Sequence, residues 1–242
     1  MGARIIESGG GGHLLSATGL LRLLQLTSPA LPIGAYAYSQ GLETAVDQGL
    51  ISDAQQTRQW LEQMMAYALT SVDLPVLMRL HGAWSAGDRQ LAERWNATLL
   101  AMRESRELRE EDIHLGQALM RLLNALADTD SGGGDLIGGQ NLRTPSLAAA
   151  VAAAAARWEI PASTAALAYT WMWAENLVAA AVKLIPLGQT AGQRILSALQ
   201  VRMPEVVAAA AVVKDSEIGL SLPGVAMVSG WHETQYVRLF RS

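Results

Sequence analysis

Residues 160–191 read I-P-A-S-T-A-A-L-A-Y-T-W-M-W-A-E-N-L-V-A-A-A-V-K-L-I-P-L-G-Q-T-A. Pro161 suits the first turn of a helix, where its missing N–H costs nothing. Alanine, leucine and methionine then favour helix for about seven turns. Pro186 followed by Gly188 stops it. A helix apolar on nearly every face is buried or spans a membrane. The uncharged run between Glu159 and Glu175 is shorter than the roughly 18 apolar residues that spanning takes. The reading is therefore a buried core helix with other helices wrapped around it. Tyr169, Asn176 and Lys183 recur at seven-residue spacing, within roughly 40° of one line. A buried charge is costly unless paired, so this stripe either finds partners and surface at the helix edge or faces a partner protein. No cofactor motif accompanies Lys183, which argues against a catalytic lysine.

Outward from this helix the rest of the chain also reads as helical. Leu20–Leu26 is a short apolar helix, and T-S-P-A-L-P-I-G-A-Y-A-Y-S-Q-G-L-E after it is a loop, since two prolines and Gly34 forbid continuous helix. Leu42, Val46 and Leu50 continue at helical spacing. Ser52 or Asp53 caps a helix carrying Trp60, Met64 and Tyr67 through Ser71. Asp73 and Pro75 start another, and Leu91, Trp95, Leu99 and Met102 mark the next. In the run R-E-S-R-E-L-R-E-E-D, residues 103–112, Arg103–Glu107 and Arg106–Glu110 are i,i+4 pairs. Such a run reads as a solvated helix face or a mixed-charge contact surface. Leu115–Leu126 carries an amphipathic helix, and D-T-D-S-G-G-G-D-L-I-G-G-Q a flexible loop. Ser146–Trp158 is alanine-rich helix, 189–201 and 204–214 two more, and 223–240 a closing helix that frays. The expectation is all-α: a single-domain bundle of about ten helices around a buried central helix. It spans 20–242, with 1–19 a disordered or appended segment.

Composition narrows the function. Half of the 242 residues are hydrophobic, so a core is available, and the net charge is −4 without a basic block, against nucleic-acid binding. The absence of cysteine excludes disulfides and cysteine-based metal sites. No signal peptide and no membrane span are recognisable. Gly133 and Gly138 have phosphate-loop spacing, but Gly139-Gln140 stand where Lys and Ser/Thr are needed. His232-Glu233 begins a zinc helix motif in which Tyr236 replaces the second histidine. His13, His81, His114 and His232 are scattered, and Gly219–Pro223 fails the nucleophile-elbow pattern. No catalytic residue, cofactor or metal site is expected, which leaves an interaction protein. A small-molecule enzyme in a helical pocket is the remote alternative. The tail W-H-E-T-Q-Y-V-R-L-F-R-S has the aromatic and arginine composition of interface hot spots, or else docks on its own core.

Three segments carry a resemblance: L-L-Q-L-T-S-P-A-L-P-I-G-A-Y-A-Y-S-Q-G-L-E, A-V-K-L-I-P-L-G-Q-T-A-G-Q-R and H-E-T-Q-Y-V-R-L-F-R-S. With D-L-P-V-L at 73–77 and R-E-S-R-E-L at 103–108, the chain resembles the urease accessory protein F family from about Leu20 to Ser242. Ala37 departs from the usual Ser, and Trp231 from a basic residue. The resemblance implies a non-enzymatic, all-helical, cytoplasmic homodimer. It would bind a companion accessory protein (D or H) and recruit the nickel-carrying GTPase, accessory protein G, to apo-urease for assembly of the nickel centre. It implies no nucleic-acid or membrane partner. The alternative role is a regulator that activates the GTPase in trans, for which Arg103, Arg106, Arg238 and Arg241 are candidates. The residues expected at partner contacts are His232, Glu233, Tyr236, Arg238 and Arg241, with Tyr36, Tyr38, Gln40 and Glu43 in the same assembly. Lys183 and Gln189 are expected to face the GTPase or a dimer contact.

Overall fold

The computed structural model describes residues 15–130, 142–219 and 222–242, the side chains of 127–130 excepted. The segment 1–13, the loop at 128–140 and the motif at 219–223 fall wholly or partly outside these residues. Among the described residues all regular structure is helical: α1 (Ala17–Leu26), α2 (Leu42–Asp47), α3 (Ala54–Gln63), α4 (Leu74–Ser85), α5 (Arg89–Ala101), α6 (Arg106–Asp130), α7 (Leu147–Arg157), α8 (Ala162–Leu184), α9 (Gln189–Ala211) and α10 (Pro223–His232). A π-helical stretch, Met64–Asp73, joins α3 to α4, and single 3₁₀ turns occupy Ala35–Ala37 and Asp215–Glu217. No helix among these residues is long and apolar enough to cross a membrane.

The helix starts follow local chemistry. Ser16, Asp53, Asp88 and Ser146 each accept a hydrogen bond from the backbone N–H three residues on, the N-cap arrangement. Ser105 caps α6 in the same way, accepting from Leu108 N at 3.1 Å. At the end of α7, Glu159 takes φ +55° while Ile160 N donates back to Ala155 O at 2.9 Å. That left-handed closure turns the chain sharply into α8.

Two helices share the centre. In α7 every residue from Ala148 to Ala155 is buried, enclosed by α4, α6 and α8. The α6–α7 approach is so close that a Cβ on Gly116 would fall 2.5 Å from the carbonyl carbon of Ser146 and against Pro145 O. Helix α8 lies against α4, α7, α9 and α2, but it is not wrapped on all sides as its composition suggested. Leu167, Ala179 and Lys183 are exposed and Trp171 and Glu175 half-buried, so one stripe at i,i+4 spacing reaches solvent.

Three expected boundaries are corrected. The helix beginning at Ala54 does not stop at Ser71 but continues into α4 through the π stretch, where Thr70 Oγ1 bonds Met65 O five residues back. The wider π turn accommodates the ring and the missing N–H of Pro75. Pro204 does not divide 189–214, because it sits inside a single α9. Its cost of about 3 kcal/mol is offset by the burial of Leu199, Met203, Val206, Val207 and Ala210 on one face. The last helix ends at His232 rather than near Phe240, and the chain from Glu233 onward is held by side chains instead.

Candidate functional site

The ten residues after α10 have no helical ladder, so their backbone groups need other partners. Glu43, in the first turn of α2, supplies two. Its carboxylate accepts from Leu239 N at 2.6 Å and Phe240 N at 2.9 Å. Glu107, in the first turn of α6, accepts from Arg238 Nη1 at 2.6 Å. The His232 ring lies between the two carboxylates, Nδ1 at 2.6 Å from Glu107 and Nε2 at 3.3 Å from Glu43. Further along, Arg241 N donates to Ala37 O at 2.8 Å, while Ser39 N and Oγ donate to Ser242 O at 3.0 and 2.5 Å. Ser242 Oγ donates to Glu111 at 2.6 Å, one turn beyond Glu107. Phe240 completes the fastening. It is buried with Leu42, Ala45, Ile51, Ala181, Ile185 and Val228. The C-terminal segment is thus a strap pinned by three buried carboxylates.

The loop beneath the strap is built to the same end. Gln40 and Gly41 both take positive φ, +53° and +79°. A Cβ at Gly41 would sit 2.8 Å from Val228 Cγ2, so α10 can close on α2 only over glycine. The left-handed Gln40 turns its amide inward, where it accepts from Trp173 Nε1 at 2.9 Å and donates to Glu111 at 2.8 Å. Glu111 has only neutral donors, and burial raises its pKa to about 7. Next to it, Arg103 bridges Asp73 at 2.6 Å and Asp112 at 2.7 Å. Burial alone would lower the Arg103 pKa, but Asp112 and Asp73 overcome it and hold the guanidinium well above its ordinary value. Tyr169 donates to Asp73 at 3.1 Å, and burial together with that carboxylate pushes its hydroxyl well up. Asp112 also accepts from Leu147 N at 2.7 Å, fixing the start of α7. A cavity of about 60 Å³ remains among Gln40, Met64, Leu69, Asp73, Arg103 and Glu111.

What this scaffold presents outward is apolar and cationic. Tyr236 is fully exposed, Val237 75 % and Leu239 66 %, with Trp231 46 % and Tyr36 72 % exposed as well. Arg241 is exposed beside them. An open groove lined by Thr44, Asp47, Gln48, Trp231, Gln235 and Tyr236 runs between α2 and the strap. Among the described residues no cluster of His, Asp and Glu is placed to hold a metal ion.

The UreF family model matches residues 51–200. A urease accessory protein UreF from Alkalilimnicola ehrlichii is 50 % identical over 223 residues, covering 91 % of this chain and 95 % of that protein. Those of Hahella chejuensis and Azoarcus sp. are 47 % and 46 % identical, each over 92 % of this chain and over 98 % and 95 % of their own lengths.

The chain belongs to the UreF family.

UreF proteins are accessory proteins rather than catalysts. In this UreF chain the residues singled out from sequence divide into two groups. Tyr38, Glu43 and His232 are buried, and Gln40 is half-buried. Tyr38 hydroxyl lies 3.3 Å from His114 Nδ1, and its carbonyl accepts from Asn176 Nδ2 at 3.1 Å. Glu233 is half-buried and accepts from Arg106 N at 2.8 Å, closing the N-terminus of α6. Tyr36, Lys183, Gln189, Tyr236, Arg238 and Arg241 reach solvent. Lys183 stands over the Phe240 and Tyr36 rings at 5.6 and 6.0 Å, linking α8 to the strap. Gln189, the first residue of α9, is separate from that group in sequence and opens the helix after Gly188.

The polar line along α8 is accounted for inside the chain at Tyr169 and Asn176, and by the ring contacts at Lys183. The charged run 103–112 is corrected more sharply. Arg106–Glu110 forms an exposed pair at 3.7 Å, but Arg103 turns away from Glu107 to Asp73 and Asp112, and Glu107, Glu111 and Asp112 are buried. Glu104, Arg106, Arg109 and Glu110 keep the solvated face that the run predicts, and the other half of its charges turns into the chain. Asp73, Glu107, Glu111 and Asp112 were missed as site residues. The i,i+4 spacing of Glu107 and Glu111 near a helix start was the available signal, since two carboxylates on one face of successive turns invite donors from a second element.

Proposed function

We propose that this UreF protein acts in urease maturation as a cytoplasmic adaptor. The exposed side of its strap binds a companion accessory protein (D or H), and the resulting assembly recruits the nickel-carrying GTPase, accessory protein G, to apo-urease. One observation carries the reading: Tyr236, Val237 and Leu239 are among the most exposed apolar side chains described, yet the same segment is fastened from below, Leu239 N to the Glu43 carboxylate and the Arg238 guanidinium to Glu107. A chain segment that is ordered and apolar toward solvent is preorganised for a partner and loses little freedom on binding. The test is co-elution of the purified chain with the companion protein on a sizing column, comparing wild type with Tyr236→Ala and Leu239→Asp. Binding equal to wild type in both variants, with the helical content kept, would remove the strap from the interface.

The half-open stripe of α8 supports a homodimer. Glu175, Ala179 and Lys183 follow at four-residue intervals, with a small residue in the middle. Two copies crossing antiparallel at Ala179 set each Glu175 against the other copy's Lys183, a self-complementary arrangement of the kind two-fold symmetry requires. Activation of GTP hydrolysis in trans is the second reading. Arg103 is engaged with two buried carboxylates and Arg238 with Glu107, which leaves Arg106 and Arg241 to test by single-turnover hydrolysis of the partner.

A further inference from the structure

The strap is fastened by three carboxylates, and their partners differ. Glu43 holds two backbone N–H groups and lies beside the His232 ring; Glu107 holds the Arg238 guanidinium and the same ring. Glu111 holds only a hydroxyl and an amide, those of Ser242 and Gln40. It is 3 % exposed. The charged groups around it are of mixed sign. Its own helix contributes Asp112, and Arg103 lies just before that helix. The π stretch contributes Asp73, and α8 contributes the Tyr169 hydroxyl and the uncharged Trp173, which reaches Glu111 through Gln40. Glu104 lines the same cavity. Arg103 acts on Glu111 in the opposite sense, favouring the ionised form, but its guanidinium is already shared between Asp73 and Asp112. An ionised Glu111 is therefore a buried anion without a cation of its own.

We infer that seating of the C-terminal strap takes up a proton at Glu111, so that the strap is held most firmly with this carboxyl neutral and loosens as the pH rises. A neutral carboxyl keeps both neighbours, one oxygen accepting from the Gln40 amide and the other donating its O–H to Ser242 Oγ, while avoiding the burial of a charge. Releasing Ser242 opens the site to water and lets the carboxyl ionise freely. The direction follows from linkage. With the strap seated, Glu111 titrates at about 7, and its reference value is 4.5. The seated state thus binds the extra proton, its advantage is complete below the lower value, and it is lost as pH rises through the upper one. With these two values the seating equilibrium falls about 30-fold between pH 5.5 and 8.5, most of it below pH 7.5. This inference concerns contacts within one chain and is independent of any partner.

The experiment is amide hydrogen exchange on the full chain, following Leu239, Phe240 and Arg241, whose N–H groups bond Glu43 and Ala37. Protection factors, corrected for intrinsic exchange, are measured from pH 5.5 to 8.5 in wild type and Glu111→Gln. The expected result is a fall of about 30-fold in wild type, levelling off at the alkaline end, and a flat profile in the variant. A flat wild-type profile, or the same slope in E111Q, overturns the inference. Should E111Q fail to fold, the carboxyl ¹³C shift of Glu111 in wild type decides. A midpoint near 7 supports the proton uptake, and a midpoint in the ordinary glutamate range refutes it.

Discussion

Replacing Arg103 by methionine isolates the ion network that joins the π stretch, α6 and the start of α7. Methionine keeps most of the stem volume and removes the charge. It leaves Asp73 and Asp112, whose side chains are 6 % and 5 % exposed, without their cation. Breaking a buried pair by removing one partner costs about 3–5 kcal/mol. Protonation limits the loss: one proton on the pair restores the net charge that the guanidinium gave, and holding one Asp neutral at pH 7 costs about 4 kcal/mol. The expected loss is therefore about 4 kcal/mol. With a urea slope of about 2.5–3 kcal/mol per molar, reasonable for a chain of this size, the midpoint falls by about 1.5 M. The pH dependence supplies a second check. In R103M the folded state holds an aspartate proton that the unfolded state has released, so the deficit shrinks as pH falls from 7 toward 4. Adding Asp73→Asn and Asp112→Asn restores most of the midpoint, because no uncompensated charge remains. A midpoint within about 0.3 M of wild type at pH 7 would refute this account of the network, as would a deficit indifferent to pH.

Other consequences are equally open to measurement. Gly116→Ala forces a methyl onto the backbone at Pro145–Ser146, so overpacking of about 1–3 kcal/mol should outweigh the roughly 1 kcal/mol gain in helix propensity, lowering the thermal midpoint. Lys183→Glu and Glu175→Lys should each weaken self-association in sedimentation, while the double exchange recovers it; no recovery would place the dimer contact elsewhere. Glu43→Ala removes the acceptor for two strap N–H groups and leaves the His232 ring with one neighbour, and should raise exchange at Leu239 and Phe240 at least tenfold. Tyr236→Ala, on a fully exposed side chain, should leave the unfolding free energy within about 0.5 kcal/mol of wild type while reducing companion binding.

The fold was legible where periodicity and caps speak locally. Asp53, Asp88 and Ser146 announce their helices, and the alanine runs announce the core. The site was legible only in outline. The Tyr36–Glu43 loop and the His232–Arg241 tail each stand out in the sequence as partner contacts, but that they pack on each other, through Glu43, Ala37 and Ser39, is seen only in the structure. What linear reading missed was the side on which charge lies. Arg103 and Glu107 have the spacing of a surface pair, but their partners, at positions 73 and 232, are far away in sequence and no local rule selects them. The continuity of α9 through Pro204 and of α3 into α4 escaped for a related reason. Burial along the whole face decides those cases against a proline's local cost.

The alanine helix at the centre has a thermodynamic consequence. A side chain of one carbon has no rotamers to lose, so seven of the eight consecutive buried residues of α7, all but Val151, are ordered at the cost of backbone entropy alone. Leucine or methionine at those positions would each surrender about 0.5–2 kcal/mol of side-chain freedom on burial. The centre of the molecule therefore has few alternative packings: its methyl groups can spin but cannot exchange places. The long side chains lie further out, on the half-open face of α8 and on the strap, where contacts with other groups hold them.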